Sequence, residues 1–380
     1  MDDRPLIRFQ APVLPPVAEV ATYFAAAERA RWFSNQGPCL KLLTERLEAY
    51  LGSGLRCVPL ANATSALALG LRALVGQPDE RRREVVLPSF TFAAAVSAVL
   101  WAGLEPVFVD VEEQSWHLCP DALELALERD TVAAVLAAST FGTPPPDTIH
   151  ARWQAAAAGA GVPLLVDSAA GFGALTGAGE RLGGQGNAEV FSFHATKPFA
   201  IGEGGLLVSA DADVVARVAR LANFGFEAGS VSAEVGLNAK LAEWPAATAL
   251  AVLDGFDEVL AARRAAAAEL LAGVSPYGYR PQATDGEPAW QFVAVLAPSR
   301  AVRDAAIEIA ASDGIELRSY FSVPLHRMPA FGGLPVAGSL ATTERLAGRI
   351  LSLPMANDQS ADDRQRIVTA LAAAAAAEAA

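Results

Sequence analysis

Apolar and polar positions alternate along the first two thirds of the chain with two distinct periods. Short apolar runs at 57–60, 84–87, 105–111, 132–138 and 163–167 are bounded by Gly, Pro or polar residues and predict strands. Between them lie helix-length segments at 39–51, 62–74, 93–103, 120–128 and one ending near 160. In 39–51, Leu40, Leu43, Leu47 and Tyr50 recur at helical spacing. A further helix is expected at 16–31, strands at 189–193 and 206–208, and a helix at 213–223. Residues 224–236 read as a flexible stretch. They lead into a long alanine-rich helical region, about 241–271, broken or bent near Pro245 and Gly255. Beyond it the pattern predicts strands at 291–296 and 314–318, helices at 301–311 and 343–350, and a long loop at 319–333. An alanine-rich helix over 364–380 follows. Strand–helix alternation over 57–209 implies an α/β fold with an open, mostly parallel sheet covered on both faces. Ligands on such sheets sit beyond the carboxyl ends of the strands.

A chain of 380 residues exceeds one typical core, so a large domain and a smaller one are expected. Hydrophobic residues make up 52% of it, and the net charge of −13 disfavours nucleic acid or an anionic membrane surface as partner. The one basic run, Arg81-Arg82-Arg83, is flanked by Asp79, Glu80 and Glu84 and reads as a solvated loop. The most apolar window, 85–104, is long enough to span a bilayer, but Pro88, Ser89, Thr91 and Ser97 interrupt it. It parses better as a strand, a turn and a buried helix. The first residues are acidic and show no signal-peptide pattern. Cys39, Cys57 and Cys119 are widely spaced without a Cys-x-x-Cys pair, as expected of reduced thiols in a cytoplasm. The four histidines show no metal-ligand spacing, so no zinc site is expected.

Candidate chemistry concentrates in 191–205, Phe-Ser-Phe-His-Ala-Thr-Lys-Pro-Phe-Ala-Ile-Gly-Glu-Gly-Gly. Pro198 biases Lys197 away from helical dihedrals, and the glycines at its end allow close backbone approach. A lone loop lysine is usually just solvated. Upstream, however, the buried-looking strand at 163–167 ends in Asp167, followed by the small residues Ser168, Ala169, Ala170 and Gly171. A carboxylate at a strand end, a lysine about thirty residues later and a hydroxyl at Ser192 form a minimum set for pyridoxal 5'-phosphate. Asp167 would keep the pyridine nitrogen protonated, Lys197 would form the imine and Ser192 would bind phosphate. An ordinary lysine is neutral in only roughly one molecule in 2,500 at pH 7, so the imine makes use of an amine otherwise unreactive. The released amine is then a natural proton shuttle. The small and hydroxyl residues at 62–66 are ordinary helix-capping chemistry, and their open amides could equally stabilise a phosphate. Gly184-Gln185-Gly186 precedes a strand and is too incomplete for a dinucleotide fingerprint.

Assembled in order, these pieces resemble the DegT/DnrJ/StrS family of sugar aminotransferases over nearly the whole chain. The matching stretches are 32–38, 62–67, 88–92, 106–110, 167–173, 191–205, 223–226, 236–240 and 324–326. The likeness is greatest to the branch written Ser-Phe-His-Ala-Thr-Lys and Asn-Phe-Gly-Phe, many of whose members aminate nucleotide-linked keto-deoxysugars. The resemblance implies the aspartate-aminotransferase fold, with a large cofactor-binding α/β domain over 1–250 and a smaller α+β domain over 251–380. It also implies a homodimer with active sites at the interface and a ping-pong reaction with L-glutamate as amino donor. By the same resemblance Lys197 takes the imine role, Asp167 the ring-nitrogen role and Phe92 the stacking position. Ala63, Thr64 and Ser192 match phosphate-binding positions, Asn238 matches a phosphate ligand lent by the partner subunit, and His194 lies beside the site as a third catalytic candidate. Three positions depart from the family pattern. Asn62 stands where serine is usual, Lys240 where arginine is frequent, and Ala170 where glutamine or histidine normally sits beside the cofactor. A water could replace the hydrogen bond that alanine lacks. The alternatives are a sugar dehydratase or cyclitol aminotransferase of the same family, or a catalytically silent binding or regulatory protein. The dehydratase pattern replaces the imine lysine with histidine, whereas Lys197 is present here.

Overall fold

The computed structural model describes residues 5–77, 81–227 and 231–379. The acidic first residues, Asp79 and Glu80 beside the arginine run, 228–230 of the stretch read as flexible, and Ala380 lie outside the described residues.

Helices α1 (Val17–Ala30) and α2 (Pro38–Leu51) lead into β1 (Arg56–Leu60) and α3 (Ala63–Val75). Strands and helices then alternate through β2 (Glu84–Pro88), α4 (Ala93–Trp101), β3 (Glu105–Val109) and α5 (Pro120–Ala126). They continue as β4 (Val132–Ala138), α6 (Asp147–Ala160) and β5 (Leu164–Asp167). The hairpin β6 (Ala188–Ser192) and β7 (Gly205–Ser209) precedes α7 (Ala212–Leu221), α8 (Glu243–Asp254) and α9 (Phe256–Val274). The remaining elements are β8 (Arg280–Pro281), β9 (Val293–Leu296), α10 (Arg300–Ser312), α11 (Ala341–Arg349), β10 (Ile350–Leu353) and α12 (Ala361–Ala379).

Seven strands form one sheet in the order β1-β7-β6-β5-β4-β2-β3. All neighbours pair in parallel except at β7, which runs against both β1 and β6. The mostly parallel α/β sheet read from the alternation is therefore present. Its strands are buried along nearly their whole length, as expected when helices cover both faces. One core packs α3, α4 and α7 on one face, and another packs α2, α8 and an aromatic group around Phe172 on the opposite side. A smaller antiparallel sheet, β10-β9-β8, is packed with α9, α10 and α12.

This order places the functional edge. Register pairs Gly205 with Leu60 on one side and with Ser192 on the other. The turn after β1, which opens α3, therefore lies one strand away from the end of β6. Asp167 pairs with Val190 and with Ala138, so the ends of β4, β5 and β6 share the same edge. Gly205 must be glycine for this approach: a Cβ there would fall 2.4 Å from the carbonyl carbon of Asn62 and 2.6 Å from the nitrogen of Ala63.

The second half departs from the pattern in three places. The long helical region is broken near Gly255 as read, but Pro245 breaks nothing: it sits in the first turn of α8, where a missing N–H costs nothing. Residues 314–318 form no strand and make only isolated pairings, Ile7 with Ile315 and Arg318 with Ser352. Ile350, read as the last residue of a helix over 343–350, instead opens the strand β10, and 351–353 carried no reading as a strand. An apolar run buried on both faces has no alternation, so periodicity cannot separate it from a helix. Among the described residues no helix is long and apolar enough to cross a membrane, and the window 85–104 divides into β2, a turn and α4.

Helix α2 begins at Gly37-Pro38 without a capping side chain of its own. Glu243, fully buried in the first turn of α8, accepts hydrogen bonds from the backbone N–H of Cys39 (2.7 Å) and Leu40 (3.2 Å) and so caps it from a distance. Glu243→Ala should lower the stability by about 1–3 kcal/mol for each amide left without an acceptor. Glu243→Gln, which keeps one acceptor oxygen, should lose less. Urea unfolding of the three proteins checks this, and equal midpoints would refute the capping role.

Candidate active site

Lys197 sits in the connection between β6 and β7, and aromatic side chains hold that connection down. Phe193 and Phe199 are fully buried with ring centroids 4.6 Å apart, and both pack edge-on against Phe172. Backbone bonds fasten the turn between them: Ala195 N–H to the Gly202 carbonyl (2.7 Å), Lys197 N–H to that of His194 (2.9 Å), and Ile201 N–H to that of Phe193 (2.9 Å). The result is a rigid loop that turns Lys197 inward.

Its ammonium faces a cavity of about 1090 Å³, on which Ala63, Thr64, Phe92, Asp167, Ser192 and His194 also lie. Asp167, 6% exposed at the end of β5, accepts from the Ala169 N–H at 3.1 Å. Burial pushes its carboxyl up to about 6, against the opposing pull of that N–H and of the Lys197 charge. Lys197 keeps part of its surface open to the cavity, yet the protein around it is dense enough that desolvation brings its amine down to about 8, against the charge of Asp167. The two groups thus sense each other across a partly dry site.

Also lining the cavity, the Asn62 side chain accepts from the Ser65 N–H at 2.8 Å and caps α3. First-turn amides have no intrahelical acceptor, and those of α3 belong to residues lining the cavity beside the Ser192 hydroxyl. Phe92, the N-cap residue of α4, is 60% exposed and lines the cavity, unlike its fully buried neighbour Phe90. His194 Nδ1 accepts the Thr196 backbone N–H at 3.2 Å, which leaves the ring proton on Nε2, 3.7 Å from Glu203. Ala170 also lines the cavity. Gly142 packs on it at φ +79°, where a Cβ would lie 2.3 Å from the Ala170 carbonyl oxygen.

Asn238 is the one expected residue assigned to the site of a partner subunit. It is exposed and lies off this cavity, in an isolated pairing with Asn223, although Val235, Gly236 and Leu237 line the rim. Sequence reasoning missed Gln291, whose side-chain carbonyl accepts from Lys197 Nζ at 2.8 Å. Its only sequence signal was a place at the start of an expected strand, far along the chain from the lysine.

Pyridoxal phosphate carries an aldehyde, a basic ring nitrogen, a flat ring and a phosphate. The site offers an amine of lowered basicity, a desolvated carboxyl, an exposed aromatic face and a helix N-terminus with a hydroxyl beside it. Those residues fit the cofactor. Among the described residues no group of three His, Cys, Asp or Glu side chains comes together as a metal cluster.

The model of the DegT/DnrJ/EryC1/StrS aminotransferase family matches residues 17–372. Protein Rv3402c of Mycobacterium tuberculosis strain H37Rv is 37% identical over 97% of this chain and 90% of its own length. A dTDP-3-amino-3,4,6-trideoxy-alpha-D-glucose transaminase of Micromonospora megalomicea subsp. nigra is 34% identical over 83% of this chain and 84% of its own. Among solved structures, that of DesI in the presence of its TDP-sugar product superposes with a TM-score of 0.88 at 33% identity. It covers 98% of this chain and 93% of DesI.

Reductive methylation by formaldehyde requires a neutral amine. In the cofactor-free protein, its rate at Lys197, followed by peptide mass spectrometry, should rise with a midpoint near pH 8, well below the value of about 10.4 for an ordinary lysine. Because the Asp167 charge raises the lysine's pKa, Asp167→Asn should move the midpoint lower. A midpoint at or above 10 in the unaltered protein would show that the amine is not desolvated.

Proposed function

Because the chain belongs to the DegT/DnrJ/EryC1/StrS aminotransferase family, whose members are pyridoxal-phosphate-dependent enzymes, we propose that it transfers the amino group of L-glutamate to the carbonyl of a nucleotide-linked keto-deoxysugar. The observation that carries this reading is that Lys197 and Asp167, both withdrawn from water, line one cavity at the carboxyl edge of the sheet with Ser192 and the start of α3. The cavity, at about 1090 Å³, slightly exceeds the usual range for small-molecule sites, roughly 300–1,000 Å³, which leaves room for a bulky second ligand. The transaminase relative is named for a dTDP-amino sugar, and DesI was solved with its TDP-sugar product. On that likeness the substrate assigned here is a nucleotide sugar.

Bound pyridoxal phosphate supplies an electron sink that stabilises charge on the carbon bonded to the transferred nitrogen. The residues of this chain do the rest. Asp167 would be ionised beside a ring cation, because an opposite charge favours its carboxylate, and would keep the proton on the ring nitrogen. Lys197 would hold the aldehyde carbon and, once released, carry a proton between the nitrogen-bearing carbon of the substrate and that aldehyde-derived carbon. With its amine near 8, about one molecule in ten is neutral at pH 7, far more than for an ordinary lysine. Ser192 and the first turn of α3 would bind the phosphate, Phe92 would cover one ring face, and His194 would flank the site.

The working unit in this reading is a homodimer, with Asn238 serving the site of the partner copy. Supporting this, the rim of the cavity carries exposed apolar side chains, Trp101 (84%), Val235 (81%) and Phe92, which a second copy would cover. Unpaired Cys39, Cys57 and Cys119 support a reducing compartment, the cytoplasm.

Borohydride treatment of protein loaded with pyridoxal phosphate should fix the cofactor's mass on the Lys197 peptide, and Lys197→Ala should not be labelled. Label on another lysine would refute the assignment. Asn238→Ala should weaken cofactor binding by about 1.5–3 kcal/mol, the value of a hydrogen bond to a charged group. Mixing it with Lys197→Ala should restore glutamate-dependent activity, since each mixed dimer regains one intact site. Failure of the mixture to exceed either parent would refute the shared site.

A further inference from the structure

Gln291 stands just before β9, on the chain segment that comes from the smaller sheet, and yet its amide closes on the central lysine. Its oxygen accepts from Lys197 Nζ at 2.8 Å, and its nitrogen donates to Thr196 Oγ1 at 3.3 Å. Thr196 Oγ1 in turn lies 2.9 Å from His194 Nδ1. The backbone of Gln291 is pinned from behind. Buried Arg263 of α9 donates through Nη1 to the carbonyls of Trp290 (2.8 Å) and Gln291 (3.5 Å), and through Nε to Asn357 Oδ1 (2.8 Å). Lys197, Thr196 and Gln291 also line a second void of about 20 Å³ that touches Arg263 and Asn357. They are therefore the wall between that void and the main cavity.

A primary amide suits this place for a chemical reason. An ammonium has only donors, so the amide oxygen must face it; a neutral amine has a lone pair and can take the amide N–H instead. Turning the amide over exchanges the two roles. Thr196 Oγ1 can then donate where it accepted by turning its one O–H from His194 Nδ1, which keeps the Thr196 backbone N–H. The group carries no charge, so it holds the amine without biasing its protonation as a carboxylate would. Asp167 sets the charge of the site, whereas Gln291 sets where the amine rests.

We propose that Gln291 is a positioning residue that parks the Lys197 amine, in both protonation states, whenever it is not bonded to another group. The inference rests on the reading of Lys197 as the proton shuttle. It assigns a role in the reaction to a residue from the distal part of the chain, and it makes the approach of that part to the Lys197 loop a condition for proton transfer.

The test uses Gln291→Leu and Gln291→Glu in the full chain. In cofactor-free protein, the pH midpoint of reductive methylation at Lys197 should rise by one unit or more in Gln291→Glu, since a carboxylate in contact with Nζ stabilises the ammonium. It should stay within about half a unit in Gln291→Leu. In loaded protein, Gln291→Leu should bind cofactor and glutamate as before, with KM changed less than threefold. Its kcat should fall at least tenfold, and the isotope effect with α-deuterated glutamate should rise as proton transfer becomes limiting. An unshifted midpoint in Gln291→Glu, or a Gln291→Leu enzyme with unchanged kcat and isotope effect, would overturn the inference. If the unaltered protein takes no cofactor onto Lys197, it is the assignment of Lys197 that fails; if that labelling succeeds and Gln291→Leu behaves as the parent, only the role of Gln291 fails.

Discussion

The site depends on one electrostatic arrangement: an amine and a carboxyl withdrawn together from water at the carboxyl edge of a parallel sheet. Each is shifted toward neutrality by burial, and each partly holds the other charged. Neither would serve well alone. A solvated lysine is almost wholly protonated at neutral pH, and a buried carboxyl without a nearby cation gives up its charge. The fold supplies the proximity through sheet order. Because β7 is the reversed strand between β1 and β6, Gly205 draws the opening turn of α3 to the end of β6, and β5 delivers Asp167 beside it.

Much of that was legible in the sequence because the relevant signals are local. Asp167 closes a short apolar strand and Lys197 stands in a loop bracketed by buried aromatics. Asn62 to Ser65 have the composition of a helix start, and each of these needs only a few neighbours to be read. Gln291 is the opposite case. Its contact with Lys197 is made by tertiary packing of two distant segments, and an isolated glutamine before a strand has no pattern to mark it. Strand β10 was hidden for a different reason: a short run buried on both faces looks the same whether it is coiled or extended. The cap that Glu243 places on α2 was equally invisible, because the helix start carries a glycine and the acceptor comes from elsewhere in the chain.

The geometry also divides the labour. The large sheet contributes the carboxyl, the open N-terminus of α3 and the exposed ring of Phe92, all placed by strand ends. The region of the smaller sheet contributes Gln291, held by Arg263, against the amine. Position and charge at Lys197 are thus set by separate parts of the molecule, so they can be altered separately. The rim of the cavity leaves Trp101 and Val235 bare.

The most direct examination of the central claim is a crystal structure of the protein grown with pyridoxal phosphate. The account requires electron density continuous from Lys197 Nζ to the cofactor and an Asp167 oxygen within hydrogen-bonding distance of the ring nitrogen. It also requires the phosphate at the start of α3. A cofactor bound elsewhere, or a lysine turned away from it with Asp167 facing only protein, would contradict it.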